Sequence, residues 1–148
     1  MNYRIYSPSD RDRCLEIFKS NVPKYFAEEE TDEFIEWLKK GDLSNYYVVL
    51  NEDDIIGCGG IYVDHEKKKA GFTWGMIKRN LHKKGFGTSF SVFRIEQIKE
   101  LCNYDIFLVT SQFTFEFYRK LGFQVLSIEK DGFLKGQDKY DMKLTRND

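Results

Sequence analysis

Three observations in this 148-residue sequence predict an α/β fold, or α+β in a stricter scheme. Stretches of apolar/polar alternation and stretches of helical spacing follow one another in the order βααβββαβαββ. The middle strands are joined by short polar turns, as antiparallel neighbours are. Nothing repeats, no tract is of low complexity and no linker divides the chain, so the strands have one sheet to join. The expectation is a single mixed, largely antiparallel sheet with helices on both faces, one domain over residues 1 to 148.

The stretch "NYRIYS" alternates and ends at Ser7-Pro8, which makes it the first strand. Ser9 or Asp10 then caps a helix whose apolar face is Cys14, Leu15, Ile17 and Phe18. Beyond Pro23, the acidic "EEETDEF" leads into a second helix. It is capped by Thr31 or Asp32, carries Phe34, Ile35, Trp37 and Leu38, and stops at Gly41. "YYVVL", the turn "NEDD" and "IIGCGGIYV" form a hairpin, and the polar turn "DHEKKK" brings back "AGFTWGMI" as the next strand. Val92, Phe93, Ile95, Ile98, Leu101 and Cys102 then recur at helical spacing. "DIFLVT" is short and nearly all apolar, the pattern of a strand buried on both faces. "TFEFYRKLGF" is a short helix with Gly122 as its stop, and "QVLSIE" and "KYDMKL" close the chain as two strands around "DGFLKGQD".

Composition narrows the function. Hydrophobic residues at 41% and aromatics at 16% suit a filled interior and exclude disorder. A formal net charge of -1 provides no global field to collect nucleic acid or an anionic membrane, and neither is expected as a partner. Cys14, Cys58 and Cys102 are odd in number, far apart and without zinc-site spacing, which points to free thiols, no metal and a cytoplasmic location. No apolar run reaches the roughly 18 residues of a membrane span, and the N-terminal stretch lacks a signal-peptide core.

The chemistry concentrates in "HKKGFGTSF", residues 82 to 90. It lacks the Lys-Ser/Thr pair of a Walker loop and the third glycine of a dinucleotide turn. What remains is a strand, a basic turn with Gly85 and Gly87, and a helix, so the N-H groups of about residues 83 to 88 face outward at a helix N-terminus. Lys78, Arg79, His82, Lys83 and Lys84 surround them with positive charge, and a phosphate or pyrophosphate suits the turn. About 30 residues downstream, "FYRKLGF" carries Tyr118, a side chain able to donate a proton near a bound ligand.

Together these two stretches resemble the GNAT superfamily of acyl-CoA-dependent N-acyltransferases. That family's acyl-CoA motif reads Gln/Arg-x-x-Gly-x-Gly/Ala, and its later helix reads Phe-Tyr-x-Lys-x-Gly-Phe. Here they stand as His82-Lys83-Lys84-Gly85-Phe86-Gly87 and Phe117-Tyr118-Arg119-Lys120-Leu121-Gly122-Phe123. The order of elements and Asp54-Ile55-Ile56-Gly57 also match, so the likeness spans nearly the whole chain. It implies acetyl-CoA as co-substrate, with its pyrophosphate on His82, Lys83, Lys84, Gly85, Phe86, Gly87 and Thr88. It implies that the fourth and fifth strands splay apart and that the pantetheine amides pair with the edge of the fourth strand at Met76 and Ile77. A backbone N-H near Met76 would stabilise the oxyanion formed by direct amine attack, and Tyr118 would protonate the leaving thiolate.

The match departs from the family at three places. His82 replaces the usual Gln or Arg; Ser111, within "TSQ", stands where many members hold the cofactor arm with Asn; and "AGFTWGMI" has no carboxylate to act as base. Glu28, Glu29, Glu30 and Asp141 are the candidates for that base. His65 is expected to be exposed, and Trp74 either lines the acceptor cleft or fills the core. The expected acceptor is a primary amine of a small molecule or peptide, met by "FAEEETDEF" and "DGFLKGQDK"; a homodimer is compatible with the sequence. A non-catalytic acyl-CoA sensor and a nucleic-acid patch at "KRNLHKK" are the competing readings.

Overall fold

The computed structural model describes residues 1–146 and has the expected order of elements. β1 (Asn2–Ile5) is followed by α1 (Arg11–Ser20), α2 (Glu30–Lys40), β2 (Tyr46–Asn51), β3 (Asp54–Asp64) and β4 (Lys69–Ile77). Next come α3 (Phe86–Leu101), β5 (Ile106–Thr110), α4 (Phe115–Lys120), β6 (Gln124–Leu134) and β7 (Gln137–Leu144). The strands form one seven-stranded sheet in the order β1-β2-β3-β4-β5-β7-β6. Every neighbouring pair is antiparallel except β4 and β5.

Strand alternation sorts the core into two layers. Tyr47, Val49 and Ile56 join Phe90 and Ile98 of α3 on one face, while Tyr46, Val48 and Cys58 join Ile17 and Phe18 of α1 and Phe34 of α2 on the other. The helices therefore cover both faces. Cys14 and Cys58 are buried free thiols, as the spacing predicts, and Cys102 is half-buried.

Several local expectations are corrected. Asp10 does not cap α1 with its side chain; its carboxylate accepts the Ser7 N-H at 2.8 Å and two Arg4 donors at 2.8 and 2.9 Å, locking the corner after β1. α2 begins at Glu30, ahead of Thr31 and Asp32, because the Glu30 carboxylate reaches back to the Ala27 N-H at 3.0 Å. α3 buries Phe90, Ser91, Arg94 and Ile98, whereas Val92 and Leu101 are exposed. β5 is apolar on both sides but buried on one: Ile106 and Leu108 enter the core, while Val109 faces a cavity. "DGFLKGQD" is mostly strand, since β6 and β7 run on to a tight turn at Lys135 and Gly136.

Two features of β4 create the cavity. Its pairing with β5 is confined to Ala70–Ile106 and Gly71–Phe107, beyond which the strands part. Against β3, the register jumps from Gly60–Thr73 to Cys58–Met76, so Trp74 and Gly75 together oppose Gly59 in a β-bulge. Trp74 takes a left-handed φ of 37°, and the buried Tyr46 hydroxyl donates to its carbonyl at 2.7 Å, pinning the bulge.

Candidate active site

The gap between β4 and β5 opens into a cavity of about 1010 Å³ that runs from the glycine turn to the α1–α2 connection. Its wall includes Met76, Ile77, His82, Lys83, Gly85, Gly87, Thr88, Ser111 and Tyr118, so most of the sequence-predicted site residues meet on one surface. Lys84 and Phe86 do not. Lys84 is exposed away from the wall, and the Phe86 side chain packs into the core.

The turn has the form of an anion cradle. Gly85 sits at φ 90° just before α3, a conformation that glycine adopts without strain, and a Cβ there would meet nothing within 4 Å. The N-H groups of residues 83 to 88 find no acceptor among the described residues, and no side chain caps the helix. Donors, dipole and the neighbouring Lys83 suit a phosphate. His82 does not hang free: its Nε2 donates to the Ile77 carbonyl at 2.8 Å, and its ring packs edge-on against Tyr25.

Of the two residues expected at the exposed edge of β4, Met76 and Ile77, only one turns its backbone outward. Lys78 donates to the Ile56 carbonyl at 2.8 Å, so antiparallel alternation turns the backbone groups of Met76 toward β3 and those of Ile77 toward the gap. The Ile77 carbonyl is already held by His82 and by Asn21 Nδ2 at 3.0 Å. Its N-H is therefore the edge donor nearest the turn.

Tyr118 is half-buried, its ring edge-on to Phe117, Phe123 and Phe72 with centroids 5.0, 5.9 and 6.5 Å away. Ser111 is buried on the cavity wall and accepts the Phe113 N-H at 3.2 Å, which shapes the turn into α4. Thr110 bonds Thr114, and Gln112 ties that turn to the β6–β7 hairpin through the Gly136 carbonyl and the Asp138 N-H.

Among the candidate bases, Glu28 and Glu29 are exposed and off the wall. Glu30 lines the cavity, and burial raises its carboxyl above the ordinary 4.5, against the lowering effect of the Ala27 N-H. Asp141 also lines it and accepts from Ser127 Oγ at 3.0 Å. Trp74 serves both expected roles, lining the cleft while packing against Phe18, Phe26 and Phe34. His65 is exposed and bonds the Tyr104 hydroxyl at 2.9 Å.

Sequence reasoning missed Arg94 and the bulge. Arg94 is 3% exposed on the cavity wall, and its Nε and Nη1 have no hydrogen-bond partner. Burial lowers its pKa, opposed by the phenols of Tyr118 and Tyr46. The available signals were an arginine spaced four residues from both Phe90 and Ile98 in a core stripe, and a glycine between Trp74 and Met76 inside the strand, at Gly75.

A search of curated proteins finds no match. Solved structures do match in fold. An aminoglycoside 6'-N-acetyltransferase complexed with coenzyme A superposes with a TM-score of 0.75 at 12% identity, over 97% of this chain and 96% of that one. The ribosomal-protein-alanine N-acetyltransferase from Brucella melitensis gives 0.77 at 14% identity, over 97% and 98%. A chimeric spermidine N-acetyltransferase from Vibrio cholerae and hSSAT gives 0.79 at 18%, over 97% and 94%. The model of the acetyltransferase (GNAT) family matches residues 11–123, spanning the anion turn, the split strands and the Tyr118 helix, and the chain belongs to that family of acyltransferases.

Proposed function

We propose that the protein transfers the acetyl group of acetyl-CoA to a primary amine by direct attack with both substrates bound. The observation that carries this reading is the single cavity joining the free N-H groups at the start of α3, the Ile77 edge of β4 and the Tyr118 ring. When bound, acetyl-CoA supplies the activated acyl group. The residues around it have separable tasks. The turn at 82 to 88 holds the pyrophosphate, with Lys83 adding charge. The Ile77 N-H orients the pantetheine arm, and Ser111 closes the wall opposite. Tyr118 donates the proton that the leaving sulfur requires, since a phenol is ordinarily protonated at neutral pH. Glu30 accepts the proton of the incoming ammonium, and its raised carboxyl brings it closer to the working pH of a base. Glu30 and Asp141 also give the acceptor side two carboxylates, which favour a cationic amine on a small molecule or peptide.

Calorimetric titration with acetyl-CoA, with ATP and NAD as controls, tests the first half: near-stoichiometric micromolar binding of acetyl-CoA alone is expected. A panel of amines followed by CoA thiol release tests the second. Tight binding with no thiol release from any amine would replace the enzyme reading with that of an acyl-CoA sensor.

A further inference from the structure

The Arg94 guanidinium is a buried cation without an anion. It stands in the core stripe of α3 at 3% exposure, and among the described residues it has no carboxylate partner. Its carbon lies 3.9 Å from the centroid of the Phe72 ring and 4.6 Å from that of Phe90, so two aromatic faces offset part of its desolvation. Space for it comes from Gly75 in the bulge, where a Cβ would fall 2.5 Å from Nη1. The remaining polar neighbours are Tyr46, Cys58 and Tyr118, none of them a carboxylate. An apolar residue would fill this site at lower cost, so a charge kept here calls for a negative partner that the resting fold lacks.

The proposed reaction creates one. As the C-N bond forms and the C-S bond breaks, the electron pair passes to sulfur. The Tyr118 proton moves to that sulfur and leaves a phenolate, which regains a proton released from the nitrogen of the product. Arg94 and Tyr118 line the same cavity, and Phe72 touches both, its ring under the guanidinium and 6.5 Å from the Tyr118 ring. We propose that Arg94 is a positioning residue for the acid step, a fixed cation that orients the Tyr118 hydroxyl and compensates the charge left on it when the thiolate departs. This rests on the reading of Tyr118 as the acid.

A double-mutant cycle tests it, with kcat and the acetyl-CoA KM measured for the best amine of the panel. Arg94→Met should lower kcat roughly 10- to 100-fold while KM stays within about threefold, because the guanidinium acts on the transition state rather than on binding. Arg94→Lys, which keeps a charge but loses the planar group stacked on Phe72 and Phe90, should recover part of the loss, with kcat between those of Arg94→Met and the parent. In a Tyr118→Phe background, Arg94→Met should cost less than about threefold more, since the group it acts through is gone. Losses that multiply across the two backgrounds, or a rise in KM with kcat intact, would overturn the proposal while leaving Tyr118 as the acid. A Tyr118→Phe variant with full kcat would overturn both. If Arg94→Met fails to bind acetyl-CoA, the cycle is run with Arg94→Lys and Arg94→Gln, and equal kcat losses for each in the two backgrounds would sink the idea.

Discussion

His82 Nε2 donates to the carbonyl oxygen of Ile77 at 2.8 Å, and this bond joins the glycine turn to the end of β4. One imidazole thus sets the separation between the turn proposed for the pyrophosphate and the strand edge proposed for the pantetheine arm. His82→Ala should weaken acetyl-CoA binding about tenfold, the worth of one lost hydrogen bond plus a loosened turn, with kcat at saturation within about twofold. His82→Gln, able to reach the same carbonyl, should bind within about threefold of the parent. Calorimetric Kd values check both, and equal affinities in all three proteins would show that the bond does not hold the turn.

The two glycines of the turn should respond with opposite signs. Gly85 sits at φ 90°, so Gly85→Ala forces a left-handed alanine and should cost about 1–2 kcal/mol, although the space is open. Gly87 is helical, and a Cβ there meets Phe117 at 3.4 Å, an ordinary contact. Gly87→Ala should be neutral or stabilising by up to about 1 kcal/mol. Urea denaturation of the two variants measures the difference.

The Arg4–Asp10 pair makes the corner after β1 sensitive to acid. The Arg4 hydrogen bonds, helped by the Ser7 N-H, hold the Asp10 carboxyl below its ordinary 3.8. A carboxyl lowered in the fold contributes stability above its unfolded value, and that contribution is lost as pH falls through the folded value. Asp10→Asn should therefore cost about 1.5–3 kcal/mol at pH 7. The difference from the parent should shrink below pH 3.8, as followed by urea midpoints across the range.

Glu30 should set the acidic limb of kcat/KM. Burial raises its carboxyl above 4.5, so the base form appears only at higher pH than for an exposed glutamate. The limb should lie above 4.5 and disappear in Glu30→Gln, with kcat lower by roughly 100-fold. If the limb persists in Glu30→Gln, Asp141 becomes the base to test, since it lies on the same wall.

Local signals in the chain determined a good deal. Alternation and helical spacing are backbone periodicities carried by adjacent residues, so the order of elements and the mixed sheet were readable before any packing. The same holds for the turn at 82 to 88, because Gly85 and its helix are neighbours in sequence. Tertiary structure decided what depends on distant segments. The turning of Ile77 rather than Met76 toward the gap follows from a bulge whose register is set by β3 and whose carbonyl is held by Tyr46. That Glu30 lines the cavity while Glu28 and Glu29 do not follows from how the α1–α2 connection folds against it. The spacing of Arg94 places it in line with Phe90 and Ile98, but only the meeting of Phe72, Phe90 and Gly75 makes it a buried charge. Burial and hydrogen-bond direction are properties of contacts between segments far apart in the chain, and no local pattern encodes them.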